Sequence, residues 1–167
     1  MKVARGRAVL LLVLALFFAI GPFSFVRVLG TLLPLVESTV AVLAAATGVG
    51  PALPYALGAG IVLDLFSGRA LGLNTLGAAL LAALEGWLSR RIYTEEPGFL
   101  ALAVAVGVFV ERLALGLFLA VLHAGGGDLL RQAVLGALFS LPLTFLCRWV
   151  LGPQRPAPRG FLYQKRR

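Results

Sequence analysis

Five ionisable residues lie inside long apolar runs of this sequence and are the first candidates for chemistry: Glu37, Asp64, Glu85, Glu111 and Arg112. Such side chains at membrane depth cost about 2.5–3.5 kcal/mol each on insertion scales, so those that persist often carry function. Glu111 and Arg112 are neighbours that point about 100° apart on a helix, so each should find its partner on another helix or in another protein. An internal ion pair that fixes helix packing, a partner-binding role and a proton or ion relay all fit these two residues.

Catalytic motifs are missing from the sequence. The only histidine, His123, stands beside a run of three glycines, and no G-x-S-x-G, H-E-x-x-H or P-loop pattern occurs. The only cysteine, Cys147, lies in an apolar run, where it has no second cysteine for a disulfide and no Cys/His cluster for a metal. We therefore predict a protein that is not an enzyme and has no cofactor and no metal site.

The composition indicates a membrane protein. Hydrophobic residues make up 60% of the 167-residue chain and charged residues only 13%, whereas soluble domains carry about 25% charged residues. The net charge is +8, but the basic residues flank apolar runs, as they do in membrane proteins. This placement excludes nucleic-acid binding as the reason for the positive charge, and it makes membrane lipids an expected contact of the basic tail at 152–167.

Six apolar segments, all expected to be α-helices, follow one another in a single domain over residues 1–151. A bilayer crossing needs about 20 residues, so the second and third segments are short. Gly48 to Pro54 is rich in turn formers and should separate these two segments. The first segment continues past Gly21-Pro22 without a clear cleavage site, which favours a retained span over a signal peptide. The predicted spans are 8–26, 32–47, 54–66, 71–88, 98–122 and 129–151.

Both ends of the chain are basic, which places both on the cytoplasmic side of a plasma membrane and requires an even number of crossings. Six crossings satisfy this, and so do four with a re-entrant pair formed by segments two and three. Five would put one basic end outside. With six crossings Trp87 and Trp149 fall at the inner interface, where tryptophan is favoured. Pro142 should kink the last span, and the tail 152–167 should be disordered.

Small residues and an acid share one stripe of the third segment. Ala56, Gly60 and Asp64 are spaced by four, so a neighbouring helix can approach them closely. Gly68 and Gly72 repeat the spacing across a turn. Asp64 lies near the start of the next helix, where exposed N–H groups favour an anion, so it can cap or brace this hairpin, with Arg69 as one candidate partner.

Residues 58–72, GAGIVLDLFSGRALG, resemble the signature hairpin of the rod shape-determining MreD family. The matching features are Gly60, Asp64 four residues later, the Ser67-Gly68 turn and Gly72 at the start of the next span. Glu111 matches an acidic residue in the fifth span of some members. Chain length, segment number and basic termini also agree with the family, although the motif itself covers only about fifteen residues.

The resemblance implies a six-helix fold similar to the substrate-binding subunits of vitamin transporters. It also implies a bacterial inner-membrane scaffold that binds MreC, a single-span protein. Through MreC such a scaffold connects indirectly to MreB, to a SEDS glycosyltransferase and to a class B penicillin-binding protein in cell elongation. The residues expected at the partner-binding or helix-packing surfaces are Ala56, Gly60, Asp64, Gly68, Gly72, Glu111 and Arg112. A membrane-embedded solute-binding transporter subunit remains the alternative.

Overall fold

A computed structural model describes residues 5–21, 27–28, 31–67, 72–89, 96–121 and 128–151. The described chain contains six α-helices and one two-residue antiparallel strand pair, in which Arg27 is opposite Leu32. The helical expectation therefore holds for the described residues apart from this short pair. The elements, in order, are α1 Arg5–Ile20, β1 Arg27–Val28, β2 Thr31–Leu32, α2 Leu35–Thr47, α3 Val49–Ser67, α4 Leu73–Leu88, α5 Pro97–Val121 and α6 Leu129–Leu151.

Three of these helices are long and apolar enough to cross a membrane: α3, α5 and α6. The other three are apolar but shorter, with 16 residues in α1, 13 in α2 and 16 in α4. The large apolar side chains that remain exposed are spread over α1, α3, α4, α5 and α6. An outer surface of this kind is suited to contact with lipid rather than water.

The prediction that residues 48–54 form a loop is wrong. Only Gly48 interrupts the chain, with a φ of 85° that glycine adopts easily, and α3 begins at Val49. Pro51 is tolerated because the first N–H groups of a helix have no intrahelical partner. Pro54 lies inside the helix and is exposed. Segment three is therefore 19 residues long, not the predicted thirteen, and it can span.

The first two segments also differ in part from the prediction. Helix α1 runs from Arg5 to Ile20, and Pro22 disfavours a helical conformation at the residue before it. The predicted continuation of the first segment to Val26 falls on residues 22–26, which lie outside the described chain. Segment two begins as strand β2 and becomes helical only at Leu35, after Pro34. By contrast, α4, α5 and α6 match their predicted bounds to within two residues.

The shortest helix, α2, is the centre of the bundle. It contacts each of the other five helices, and nine of its thirteen residues are buried. Small side chains such as Ala41 and Ala44, both fully buried, let the neighbouring helices approach it. A helix enclosed by protein does not need to match the full thickness of a bilayer with apolar residues of its own.

Candidate functional site

The carboxylate of Asp64 caps the N-terminus of α4. Its Oδ2 accepts hydrogen bonds from the Gly72 N–H at 2.9 Å, the Thr75 N–H at 3.1 Å and the Thr75 hydroxyl at 2.6 Å. Its Oδ1 accepts from the Asn74 N–H at 2.8 Å and from the Asn74 side-chain amide at 2.9 Å. Five donors thus surround an acid that is only 5% exposed. The negative charge also lies at the positive end of the helix dipole, so Asp64 braces the α3–α4 turn.

Glycine lets α3 and α4 pack closely at both ends of their contact. At Gly60 an added Cβ would overlap Thr75 Cα and lie 2.8 Å from the Thr75 nitrogen. At the other end, a Cβ on Gly86 would lie 2.6 Å from the Val49 nitrogen. These approaches involve backbone atoms, which cannot move aside as a flexible side chain can. Gly60 and Asp64 therefore act together, the first by bringing the helices close and the second by capping the next helix.

An apolar groove of about 420 Å³ runs along the outer side of the same hairpin. Its walls include Ile61 and Leu65 from α3 and Leu76 from α4, all of them exposed. Two polar residues reach it, Asp64 and Thr75, and they are hydrogen-bonded to each other. The groove is thus an apolar surface with few groups to recognise a polar molecule. Its lining residues are Leu57, Ile61, Asp64, Leu65, Gly72, Thr75, Leu76 and Ala79.

A salt bridge connects α5 with the central helix. The Arg112 Nη2 lies 3.1 Å from Glu37 Oε1, and the two side chains are 15% and 27% exposed. The stem of Arg112 passes over Gly136 of α6, where an added Cβ would lie 2.6 Å from Arg112 Cδ. Three helices therefore meet at one arginine. Glu111, the neighbour of Arg112, lies within electrostatic range of both partners of the salt bridge.

Two acids are buried between α4 and α5. Glu85 of α4 packs on Gly107 of α5, and Glu111 of α5 packs on Gly77 of α4. Glu85 is 1% exposed and Glu111 6%. Within the described part of the chain, both carboxyl oxygens of Glu85 and the Oε2 of Glu111 have no hydrogen-bond partner.

The residues expected at partner-binding or packing surfaces are placed as follows. Ala56 and Gly60 are buried inside the bundle, whereas Asp64 is 5% exposed and lines the outer groove. Gly72 takes a φ of 93°, which suits its place as the N-cap of α4 rather than a position in a helix–helix stripe. Gly68 lies outside the described residues, and so does Arg69, the candidate partner of Asp64. His123 and the tail 152–167 also lie outside them.

Sequence reasoning missed several residues of the site. Asn74 and Thr75 complete the cap, and they follow Gly72 in a pattern typical of a helix start. Gly77, Gly107 and Gly136 receive long side chains from other helices, and no local signal reveals such contacts. Over the described residues, no group of three or more His, Cys, Asp or Glu side chains is arranged to hold a metal.

Comparison with protein-family models, with curated proteins and with solved structures gives no match for this chain.

Proposed function

We propose that this chain is a non-catalytic scaffold of the MreD type in a bacterial inner membrane, where it binds the single-span protein MreC. In this role it helps to couple the MreB cytoskeleton to peptidoglycan synthesis by a SEDS glycosyltransferase and a class B penicillin-binding protein. All six helices cross the membrane, with both termini on the cytoplasmic side, in an arrangement similar to the substrate-binding subunits of vitamin transporters.

The observation that supports this proposal best is the hairpin of α3 and α4. Its motif residues serve one purpose, because Gly60 brings the helices together and Asp64 caps the second helix through Gly72 and Thr75. The outer groove lies between the two helices that this cap joins. Helix association inside lipid depends on close packing rather than on hydrophobicity, so a preformed apolar groove suits a single transmembrane helix.

The outward face of α3 adds to this support. Gly58 is exposed, and a Cβ built on it would meet nothing within 4 Å. Leu57 and Ile61, which come before and after Gly58 in the sequence, are also exposed. Small residues at a lipid-facing surface permit close approach by a second helix. We therefore place the MreC helix in the α3–α4 groove, where Asp64 lies beside the exposed Ile61 and Leu65.

Co-purification with tagged MreC in mild detergent tests the proposal. Wild type should co-elute with MreC, and Ile61→Trp, which fills the groove, should lose most of the bound partner. Leu138→Trp is the matched control, because Leu138 is exposed on α6 to about the same extent, 55% against 52% for Ile61, and it should co-elute like wild type. Folded wild-type protein that never co-elutes with folded MreC would contradict the proposal.

The alternative function, a solute-binding transporter subunit, predicts a different result from the same preparation. Such sites need a few polar groups placed to recognise the solute, and in the groove Asp64 and Thr75 are already bonded to each other. If MreC does not bind and mass spectrometry of the purified protein finds a stoichiometric small solute, the transporter role replaces the scaffold.

A further inference from the structure

The contact between α4 and α5 contains a buried acid that the proposed function does not use. Glu85 is 1% exposed, and in the described chain neither of its carboxyl oxygens has a hydrogen-bond partner. Its carboxyl group lies against the backbone of Gly107, where an added Cβ would overlap Oε1 and lie 3.0 Å from Cδ. The side chain of Leu81 packs on the same glycine. An acid of this kind needs a ligand, because an isolated carboxylate away from water is among the costliest groups to bury.

The acidic side chains of α2, α3 and α5 contact residues other than Glu85. On α2, Glu37 forms the salt bridge with Arg112 of α5. On α3, Asp64 accepts five hydrogen bonds from the start of α4. Glu111, the other acid of the α4–α5 contact, lies against Gly77 and within range of the Glu37–Arg112 pair.

Helix α6 packs on α5 from the far side. Its Arg131 pairs with Asp128 at 3.6 Å, Arg148 lies in its last turn, and Cys147 is next to Thr39 of α2. From the side of Glu85, neither carboxyl oxygen has a hydrogen-bond partner among the described residues.

The space around Glu85 limits what it can bind. The carboxyl group lies against Gly107, and Leu81 packs on the same glycine, so neither neighbour offers a side-chain hydrogen-bond donor. Within the described residues, no group of three or more His, Cys, Asp or Glu side chains is arranged to hold a metal. A proton needs no additional volume, and it removes the charge whose burial is costly.

We propose that Glu85 is a proton-binding site, held between α4 and α5 as an uncharged carboxylic acid. The acid forms when the carboxylate takes one proton from water, and the reverse step returns the proton and leaves a negative charge against the Gly107 backbone. That charge weakens the packing of α4 on α5 and draws the carboxyl group toward water. Glu85 lies three residues before the end of α4 at Leu88, about 4.5 Å along the axis, so a short opening of the helix end gives the proton a way out.

This inference does not depend on MreC, and its test uses the purified protein alone. Infrared spectroscopy distinguishes the C=O stretch of a protonated carboxylic acid from the bands of a carboxylate. At neutral pH we expect wild type to show an acid band whose intensity falls in Glu85→Gln, with Glu111, the other buried acid of this contact, left as the source of any remaining band. Glu96→Gln is the control, because Glu96 is exposed just before α5, and the band should remain unchanged.

The effect of the Glu85 charge on the packing of α4 against α5 can also be measured by thermal unfolding. The melting temperature of wild type should fall as the pH is raised from mildly acidic to neutral values, because over this range the folded state keeps a proton that the unfolded state has already released. Glu85→Gln carries an uncharged group of nearly the same size and should weaken this decline, whereas Glu96→Gln should keep it.

Three results would overturn the proposal. The first is a wild-type spectrum without an acid band at neutral pH, and the second is an acid band whose intensity is unchanged in Glu85→Gln. The third is a Glu85→Gln protein that fails to fold, because an uncharged acid should be replaceable by an uncharged amide of the same shape.

Discussion

Arg112 of α5 forms a 3.1 Å salt bridge with Glu37 of α2, although the two residues are 75 positions apart in the chain. The arginine reaches this partner by passing over Gly136, so α5, α6 and the central helix are joined at one point. Glu37 lies in the first turn of α2, where the helix dipole also favours an anion. The salt bridge therefore fixes how the α5–α6 pair sits against the centre of the bundle.

Removing the arginine should destabilise the protein. We expect Arg112→Met to cost roughly 1–3 kcal/mol, below the ~3–5 kcal/mol of a fully buried pair because both side chains are partly exposed. The double variant Glu37→Gln/Arg112→Met should regain part of this loss, because no charge is left without its partner. Thermal unfolding in detergent measures both effects.

Arg131→Met provides the control for this experiment. Arg131 pairs with Asp128 in an exposed i,i+3 contact, and such surface pairs contribute little. An Arg131→Met loss as large as that of Arg112→Met would show that the position of the arginine in the bundle does not matter.

Substitutions in the Asp64 cap should destabilise the protein to different extents. Asp64→Ala leaves the donors of Gly72, Asn74 and Thr75 without their acceptor, and we expect a loss of about 2 kcal/mol or more. Asn74→Ala removes the side-chain amide donor at 2.9 Å but keeps the Asn74 backbone donor, and it should cost about 0.5–1.5 kcal/mol. Denaturation curves of the two variants should keep this order, and equal losses would rule out the cap as the main role of Asp64.

Two glycines of α3 should respond in opposite ways to alanine. Gly60→Ala forces a Cβ into the backbone of Thr75 and should destabilise the protein by roughly 1–3 kcal/mol. Gly58→Ala meets no atom and should be neutral or stabilise by up to about 1 kcal/mol, because alanine is the better helix former. Unfolding measurements on the pair test the close approach of α3 and α4. A neutral Gly60→Ala would contradict that approach.

Reporter fusions next to two exposed tryptophans can test which ends of the helices face the cytoplasm. Trp87 and Trp149 lie at the C-terminal ends of α4 and α6, which run the same way in a six-crossing topology, and they are 55% and 80% exposed. We expect reporter fusions after residues 90 and 152 to be active only with a cytoplasmic reporter. Activity of a periplasmic reporter at either position would contradict six crossings with both termini inside.

Local patterns in the sequence predicted some of this architecture well. The bounds of α5 and α6 follow from long apolar runs bordered by glycines and charged residues. The cap by Asp64 follows from its place near the end of one helix and close to the start of the next. The predicted loop at the α2–α3 boundary is wrong because Pro51 lies in the first turn of α3, where proline is compatible with a helix, and Pro54 lies inside the helix.

Contacts between distant parts of the chain could not be predicted. The sequence indicates that Arg112 needs a partner. That this partner is Glu37 depends on how α2 and α5 pack against each other. The same holds for Glu85 and Gly107, which share a contact only because α4 and α5 pack together. The central position of α2 was also hidden, because a short apolar segment has the same composition whether it faces lipid or protein.

Site-specific photocrosslinking in cells tests the scaffold account most directly. A photoreactive phenylalanine analogue at Ile61 or Leu65, in the α3–α4 groove, should form a crosslink to MreC. The same analogue at Leu102 of α5 or Leu138 of α6, both exposed away from the groove, should not. Crosslinks to MreC only from the α5 and α6 positions, or from none of the four in folded protein, would contradict the account.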